Sequence, residues 1–352
     1  MKRKLTTIYV AGMTALLAAG FLLAFVFAWQ AGVEETIKCI VGLIYGFVLS
    51  PILHELGHVS FAQIANMDYV YVKFFCFKIY IKNGKKRLGF ASPFAPDETQ
   101  VLPKAGGNMQ KRAILYTLGG LIYGGAFLLI ILAGAILCTA VGKTSYLLWG
   151  MVPYAAYLFL LNLPPVEYAS GKTDTLVYLG LKKGYAAEKT MLSAMEIQGQ
   201  LYAGKSFAEI DEKFYFDVPQ LCEDEPLFAV MLDLKYRYFL EKEEYDKAAD
   251  CLNRLAQAQE YLPDFEVEKL AAELTYLHSL RGDLERAEES GKLCREYLQS
   301  NETAAKRVLA AYSKAFGKTD AIELLKAQAQ ACLEQERIKG VRKFEEILLA
   351  RI

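Results

Sequence analysis

IKCIVGLIYGFVLSPILHELGHVSFAQI, residues 37–64, is an apolar stretch long enough to cross a bilayer, which needs about 20 helical residues. Its interior carries His54, Glu55 and His58. Residues four apart share one face of a helix, so both imidazoles can reach one ion, and the glutamate lies close enough to accept a proton from water bound there. In the centre of a bilayer each such side chain costs at least about 2–3 kcal/mol unless it is paired or hydrated. The stretch therefore predicts a membrane helix with a metal site.

The scarcity of histidine strengthens this interpretation. Only three histidines occur among the 352 residues, so finding two of them at this spacing with a glutamate between is unexpected by chance. Zinc is the expected metal, because H-E-x-x-H on a helix is a zinc-binding motif. Catalytic zinc usually takes three protein ligands, often His and carboxylate, and keeps one position for water. A third protein ligand is therefore needed. The remaining histidine, His278, has no histidine nearby and is expected to be a surface or packing residue.

Composition separates a membrane half from a water-soluble half. Hydrophobic residues make up 54% of the chain, and the apolar residues are concentrated before about Pro165. Charged residues gather after Gly171 in alternating acidic and basic groups. Four stretches are long and apolar enough to cross a bilayer: residues 6–29, 37–64, 113–141 and 146–164. We expect a transmembrane domain over residues 1–183 and a second domain over residues 184–352.

Basic residues predict the orientation of these crossings, because loops rich in Lys and Arg stay in the cytoplasm. Lys2, Arg3 and Lys4 place the amino terminus inside, and the loop around Glu34 and Glu35 is acidic. The segment between the second and third crossings is basic, with Lys73, Lys78, Lys82, Lys85, Lys86, Arg87, Lys104 and Lys111. We expect an integral, multi-pass protein of a bacterial plasma membrane with both termini in the cytoplasm.

The segment after the second crossing predicts a small β-hairpin near residues 69–92. Tyr69–Ile81 is rich in Tyr, Val, Phe and Ile, and it is followed by Asn83-Gly84, a pair that suits a tight hairpin turn. The hairpin is expected either to capture an extended peptide by strand addition or only to plug the site or anchor at the lipid interface. In the third crossing, Gly119-Gly120 and Gly124-Gly125 predict close packing of helix backbones, and we assign them no chemistry.

The second domain has the polar-faced pattern of helices and a weak internal repeat. Three related segments, 244–248, 283–287 and 318–321, carry an alanine at matching positions, with spacings of 39 and 34 residues. Periods near 34 residues are typical of stacked helix pairs of the tetratricopeptide kind, and a plain helical bundle is the alternative. The expected fold class is mainly α: a polytopic membrane helix bundle of about four crossings with a small β-hairpin, followed by a cytoplasmic α-helical repeat domain.

The end of the fourth crossing supplies a second motif, NLPPVEYASGKTD at residues 162–174. An H-E-x-x-H inside one membrane helix, followed two crossings later by N-L-x-P and an aspartate, resembles the site-2 protease family of intramembrane metalloproteases. The resemblance covers about residues 37–180. It implies that Asp174 is the third zinc ligand and that Asn162 orients the substrate or stabilises the oxyanion. Because Asp174 lies farther from Asn162 than is usual in the family, Glu167 stays an alternative third ligand.

The resemblance implies a zinc metalloendopeptidase that hydrolyses peptide bonds of a membrane-embedded or membrane-proximal protein. His54, His58 and Asp174 would hold Zn²⁺, and Glu55 would act as the general base. The expected partners are that substrate, membrane lipid, and a peptide or protein ligand of the helical tail. The alternative is a catalytically inactive membrane scaffold that binds partners through the same tail.

Composition argues against two other classes of site. The formal net charge is zero and no basic stripe with interleaved aromatic residues occurs, so no nucleic-acid partner is expected. The seven cysteines are an odd number, are widely scattered and form no C-x-x-C pair. This pattern argues against a disulfide framework and against a cysteine zinc site.

Overall fold

The computed structural model of the protein describes residues 2–82, 85–92, 97–168, 171–223, 225–257 and 264–352. Within these residues the protein is mainly helical and has a small antiparallel sheet. The chain divides into two compact units. The first contains the residues up to 102 and residues 107–185, and the second contains residues 103–106 and 186–352.

Long apolar helices make up most of the first unit. They are α1 (Lys2–Ala31), α2 (Val33–Ile64), α3 (Met109–Ala140) and α4 (Tyr146–Asn162). Helices α1, α2 and α3 are long and apolar enough to cross a membrane, and α4 is a shorter apolar helix of 17 residues. Large apolar side chains on these helices, such as Leu22, Leu129 and Ile130, are exposed. Such surfaces are suited to lipid, so the helices support the expected membrane association.

A four-stranded sheet follows α2 in the sequence. Its strands are β1 (Met67–Phe74), β2 (Phe77–Lys82), β3 (Lys85–Phe90) and β4 (Glu98–Pro103), in the order β3-β2-β1-β4. Strand β2 pairs antiparallel with both β1 and β3, and Ile79 is the partner of Val72 on one side and of Leu88 on the other. The sheet is therefore larger than the predicted hairpin.

The predicted hairpin is present as β2 and β3, which pair antiparallel with Lys82 opposite Lys85. The segment before the predicted turn, Tyr69–Ile81, forms two strands and not a single predicted strand, because the chain turns at Phe75, which has a left-handed backbone with φ 50°. The Phe75 amide donates to Oδ1 of Asp97 at 2.7 Å, a long-range contact that local sequence preference does not reveal. The predicted turn at Asn83-Gly84 lies outside the described residues.

The end of the first unit carries a short ribbon and a helix. Strands β5 (Glu167–Tyr168) and β6 (Gly171–Lys172) pair antiparallel, and α5 (Asp174–Lys183) follows. Helix α5 begins at Asp174 because Thr173 caps it, with Oγ1 accepting a hydrogen bond from the Leu176 amide at 3.3 Å. It ends at Gly184, whose φ of 70° is the left-handed conformation common after a helix.

The second unit is helical. Its elements are α6 (Ala186–Ala203), a 3₁₀ turn (Phe207–Glu209), α7 (Lys213–Phe216), α8 (Pro226–Glu241), α9 (Tyr245–Gln257), α10 (Asp264–Arg281), α11 (Leu284–Leu293), α12 (Arg295–Leu298), α13 (Thr303–Ala315), a 3₁₀ turn (Thr319–Ala321), α14 (Ile322–Leu333) and α15 (Lys339–Ala350). Its apolar core joins α6, α8, α10, α13 and α15 and includes Ile197, Tyr236, Tyr276, Val308 and Phe344. This unit therefore has a hydrophobic core of its own.

Three helix pairs of the second unit, α8–α9, α10–α11 and α13–α14, share one kind of turn. Each first helix is followed by a residue with a left-handed backbone, namely Glu243 (φ 61°), Gly282 (φ 72°) and Gly317 (φ 70°). In each turn the next amide donates to the carbonyl five residues earlier, at 2.8–3.0 Å. This pattern belongs to the Schellman motif. The three related segments of the sequence, 244–248, 283–287 and 318–321, begin at these turns.

A buried arginine lies at the centre of the second unit. Arg307 is fully buried, its Nε donates to Oε2 of Glu345 at 2.7 Å and its Nη2 donates to Oε1 of Glu273 at 2.6 Å. The guanidinium also stacks 4.2 Å from the ring centroid of Tyr276. These contacts join α10, α13 and α15 through one charge.

We expect Arg307→Met to destabilise the second unit by about 3–5 kcal/mol, because it removes the cation that pairs with the buried Glu345 and the largely buried Glu273. Lys292→Met is the matched control, since Lys292 forms an exposed pair with Glu288 within one helix and should leave stability nearly unchanged. Native-state hydrogen exchange of the α10 and α13 amides in the detergent-solubilised chain measures both. Equal protection in the two variants would contradict a central role for Arg307.

The same cluster predicts a dependence of stability on pH. Burial acts to raise the pKa of Glu273, but the charges of Arg307 and Arg237 outweigh burial and hold the pKa below its ordinary value of 4.5. A carboxyl with a lowered folded-state pKa stabilises the fold above its unfolded-state pKa, and this contribution is lost as the pH falls through the folded-state pKa. Hydrogen exchange at descending pH should therefore show that α10 loses protection below about pH 4.5. Arg307→Met should flatten that dependence.

Candidate metal centre

Three potential metal ligands lie close together where the first residue of α5 meets α2. Nε2 of His54 lies 3.3 Å and Nε2 of His58 lies 3.4 Å from the same oxygen, Oδ2 of Asp174. The two histidines are one turn apart on α2, and the aspartate opens α5. Among the described residues these three form a group whose ligand atoms all lie within 4.8 Å of one another and could hold a metal ion.

The chemistry of these donors fits a metal ion. Oδ2 of Asp174 is buried and finds no hydrogen-bond donor among the described residues. Nδ1 of His58 lies 3.1 Å from the carbonyl oxygen of Tyr116, and because a carbonyl only accepts, Nδ1 carries the proton. In a neutral imidazole Nε2 then presents a lone pair toward the carboxylate, an arrangement that a bound cation satisfies. Zinc ligand atoms lie about 2.0–2.1 Å from the metal, which in a tetrahedron separates them by roughly 3.3–3.4 Å.

A closed ribbon delivers Asp174 to the histidines. The Thr173 amide donates to the Val166 carbonyl at 3.1 Å, and the Thr173 hydroxyl donates to the Pro164 carbonyl at 2.8 Å. Val166 and Thr173 therefore lie next to each other where the ribbon begins and ends. Glu167, the alternative ligand, lies on β5 with an exposed side chain and is outside the His-His-Asp group.

Asn162 is the last residue of α4. Its Nδ2 donates to the Leu158 carbonyl of its own helix at 3.3 Å, and its carbonyl accepts a hydrogen bond from the Thr175 hydroxyl at 3.0 Å. The backbone of Asn162 thus fixes the residue next to Asp174, while its amide side chain is engaged within α4. The oxyanion role stays a prediction.

Glu55, the proposed base, is buried and has a specific partner. The Thr99 hydroxyl of β4 donates to Oε2 of Glu55 at 2.6 Å, and both side chains are buried. The Tyr116 hydroxyl donates in turn to the Thr99 carbonyl. Tyr116 therefore contacts the Thr99 backbone through its hydroxyl and the His58 ring through its carbonyl.

Glycines let α3 pass directly over the site. A Cβ atom added at Gly57 would collide with the Gly119 carbonyl, and one added at Gly119 would collide with the Gly57 carbonyl. This contact confirms the predicted close packing of helix backbones. A Cβ at Gly120 would lie 2.5 Å from Nε2 of His58 and 2.8 Å from Nε2 of His54. Gly120 therefore leaves space in front of both nitrogens, a feature that the sequence did not predict.

We expect Gly120→Ala to abolish or strongly reduce metal binding, because its methyl group would occupy the space between the two Nε2 atoms. Gly124→Ala is the matched control one turn along α3, where the nearest atom, Nδ1 of His54, is an ordinary 3.8 Å away. Metal content of the two purified variants, measured by elemental analysis, checks the expectation. Full metal loading of Gly120→Ala would contradict this account of the site.

The comparisons with known proteins add no relative. No family model, no curated protein and no solved structure matches this chain.

Sequence reasoning missed three residues that shape the site, namely Thr99, Tyr116 and Thr173. Thr99 and Tyr116 lie 44 and 58 residues from their partners on α2, so no local motif connects them. Thr173 had a usable signal, because a threonine directly before an acidic residue and an apolar helical run is typical of a helix amino-terminal cap.

Proposed function

We propose that the protein is an intramembrane zinc metalloprotease of the site-2 protease kind, which hydrolyses peptide bonds of membrane-embedded or membrane-proximal proteins. The observation that carries the proposal is the convergence of Asp174 on His54 and His58, next to the buried carboxylate of Glu55. A His-His-carboxylate set also suits iron(II), but the glutamate that follows the first histidine favours the zinc peptidase motif.

The residues of the chain have separate tasks in this reaction. His54, His58 and Asp174 would hold the metal, which when bound lowers the pKa of its water toward about 7 and stabilises negative charge on the scissile carbonyl. Glu55 accepts the proton of the attacking water and passes it to the leaving amine. Asn162 orients the substrate or stabilises the oxyanion, as the family resemblance implies.

The proposed topology has four crossings, with α4 as the fourth. Its 17 residues are at the short end of the roughly 17–25 residues that span a bilayer. With the amino terminus inside, α2 and α4 both run from outside to inside. His54 precedes the end of α2 by ten residues, or about 15 Å at 1.5 Å per residue. Asp174 follows α4, so all three ligands would lie toward the cytoplasmic side.

The edges of the sheet offer a way to hold an extended substrate. A helical substrate hides its carbonyls in backbone hydrogen bonds and must unwind locally before it is cut. Strand β4 is at one edge of the sheet, and it carries Thr99, which contacts Glu55. Strand addition at this edge would bring an extended segment close to the base.

The second unit is proposed to be a cytoplasmic tetratricopeptide-like domain that recruits a peptide or protein. The support for a repeat is that the three related segments of the sequence each begin at the turn within a helix pair, whereas a plain bundle stays the alternative fold. The competing function is an inactive scaffold that uses only this unit. The buried base argues against the scaffold, since a purely structural metal site has no need of Glu55.

We expect Glu55→Gln to abolish cleavage and to leave metal binding intact, because the amide cannot take a proton but keeps nearly the same shape. The assay is cleavage of a model transmembrane substrate by purified enzyme in detergent, with metal content measured on the same samples. Wild type that contains zinc but never cuts would favour the scaffold. One iron per chain in place of zinc would overturn the zinc assignment, and the cleavage assay would then decide the peptidase activity.

Asp174→Ala should remove both metal and activity, because it deletes one of the three ligands. Glu167→Ala is its matched control, since Glu167 is an exposed carboxylate seven residues away on β5. Metal analysis of the two variants distinguishes the two candidate ligands. Loss of metal from Glu167→Ala alone would transfer the third ligand to Glu167.

A further inference from the structure

We propose that Thr99 is a positioning residue that fixes the carboxylate of Glu55 for proton transfer. The inference rests on the proposed peptidase function and adds a residue that the two motifs do not contain. Its basis is the buried 2.6 Å hydrogen bond from Oγ1 of Thr99 to Oε2 of Glu55. Since a threonine hydroxyl has a single proton, donating it to Oε2 leaves Oε1 as the oxygen open to accept a proton from water.

Thr99 is itself held at fixed points. The Tyr116 hydroxyl donates to the Thr99 carbonyl, and Tyr116 belongs to α3, which also contacts the His58 ring. Two residues before Thr99, Oδ1 of Asp97 accepts hydrogen bonds from Nζ of Lys73 at 3.1 Å and from the Phe75 amide at 2.7 Å. Strand β4 is therefore anchored to β1 at its beginning and to α3 at Thr99.

The hydrogen bond from Thr99 restricts the conformations of the Glu55 side chain. A glutamate side chain has several rotatable bonds, and proton transfer needs its oxygen within hydrogen-bond reach of the water. The hydrogen bond from Thr99 selects one rotamer, so the carboxylate does not have to be ordered at the moment of reaction. Thr99 acts through Glu55, and nothing requires it to touch the metal or the substrate.

The test compares Thr99→Val, which keeps the shape and loses the hydroxyl, with Thr99→Ser, which keeps the hydroxyl. Thr36→Val is the matched control, because Thr36 is also a buried threonine and lies at the end of α2 that is far from Glu55. Its hydroxyl donates to the Gly32 carbonyl of the preceding turn at 2.9 Å. Full-length proteins are purified in detergent, their zinc content is measured, and kcat and KM are determined with a model transmembrane substrate.

We expect Thr99→Val to lower kcat on the order of 10- to 100-fold with KM and zinc content unchanged. Thr99→Ser should restore most of kcat, and Thr36→Val should match wild type. A Thr99→Val enzyme with wild-type kcat overturns the positioning role and leaves the peptidase proposal intact. A zinc-loaded wild type that does not cut overturns both.

A second measurement does not depend on activity. Thermal unfolding midpoints are compared for metal-free wild type, Thr99→Val, Glu55→Met and the double variant. If the two side chains act as a pair, Thr99→Val lowers the midpoint in the wild-type background and has little further effect once Glu55 is replaced. The same shift in both backgrounds contradicts the hydrogen bond and with it the proposal.

Discussion

The close approach of α2 and α3 at Gly57 and Gly119 is the contact on which the rest of the site depends. This contact brings one face of α3 against α2. Three residues at helical spacing on that face, Arg112, Tyr116 and Gly120, each lie next to a different part of α2 or its carboxyl end. Arg112 donates to the carbonyls of Ala65 and Asn66 at 2.7 and 2.6 Å and so satisfies the end of α2. One turn later Tyr116 engages His58, and another turn later Gly120 leaves space in front of both imidazoles. A side chain at either contact glycine would separate the helices and weaken all three functions together.

Lipid offers no hydrogen bonds, so polar groups in this region must be satisfied by the protein, by water or by an ion. Glu55 receives the Thr99 hydroxyl, and Nδ1 of His58 meets a backbone carbonyl. Oδ2 of Asp174 is buried and lies within 3.4 Å of Nε2 of both histidines. It is therefore the carboxylate oxygen that a metal held by the two imidazoles would engage.

The sequence predicted the membrane character, a β-hairpin after the second crossing and the candidate ligands, because each of these has a local signature. A four-residue spacing on a helix needs no knowledge of the fold, whereas Thr99 meets Glu55 only because β4 returns to α2. The break of the predicted strand at Phe75 likewise depends on Asp97, which is distant in sequence. In the second unit, the charged pattern indicated solvated helix faces. Arg307 does not follow that pattern, because an arginine is buried only where carboxylates from other helices meet it.

The twelve-residue interval from Asn162 to Asp174 shows that a longer interval in sequence need not move a residue away in space. The longer interval raised the alternative of Glu167, since extra residues in an open loop would carry the aspartate away from the histidines. In the structure they form the β5–β6 ribbon, which the Thr173 amide closes on the Val166 carbonyl, so the chain gains length without moving its end. Because Thr173 also caps α5, the closure of the ribbon and the start of the helix are fixed by one residue. The closed ribbon before Thr173 thus brings the carboxylate of Asp174 to the histidines although the aspartate follows Asn162 by twelve residues.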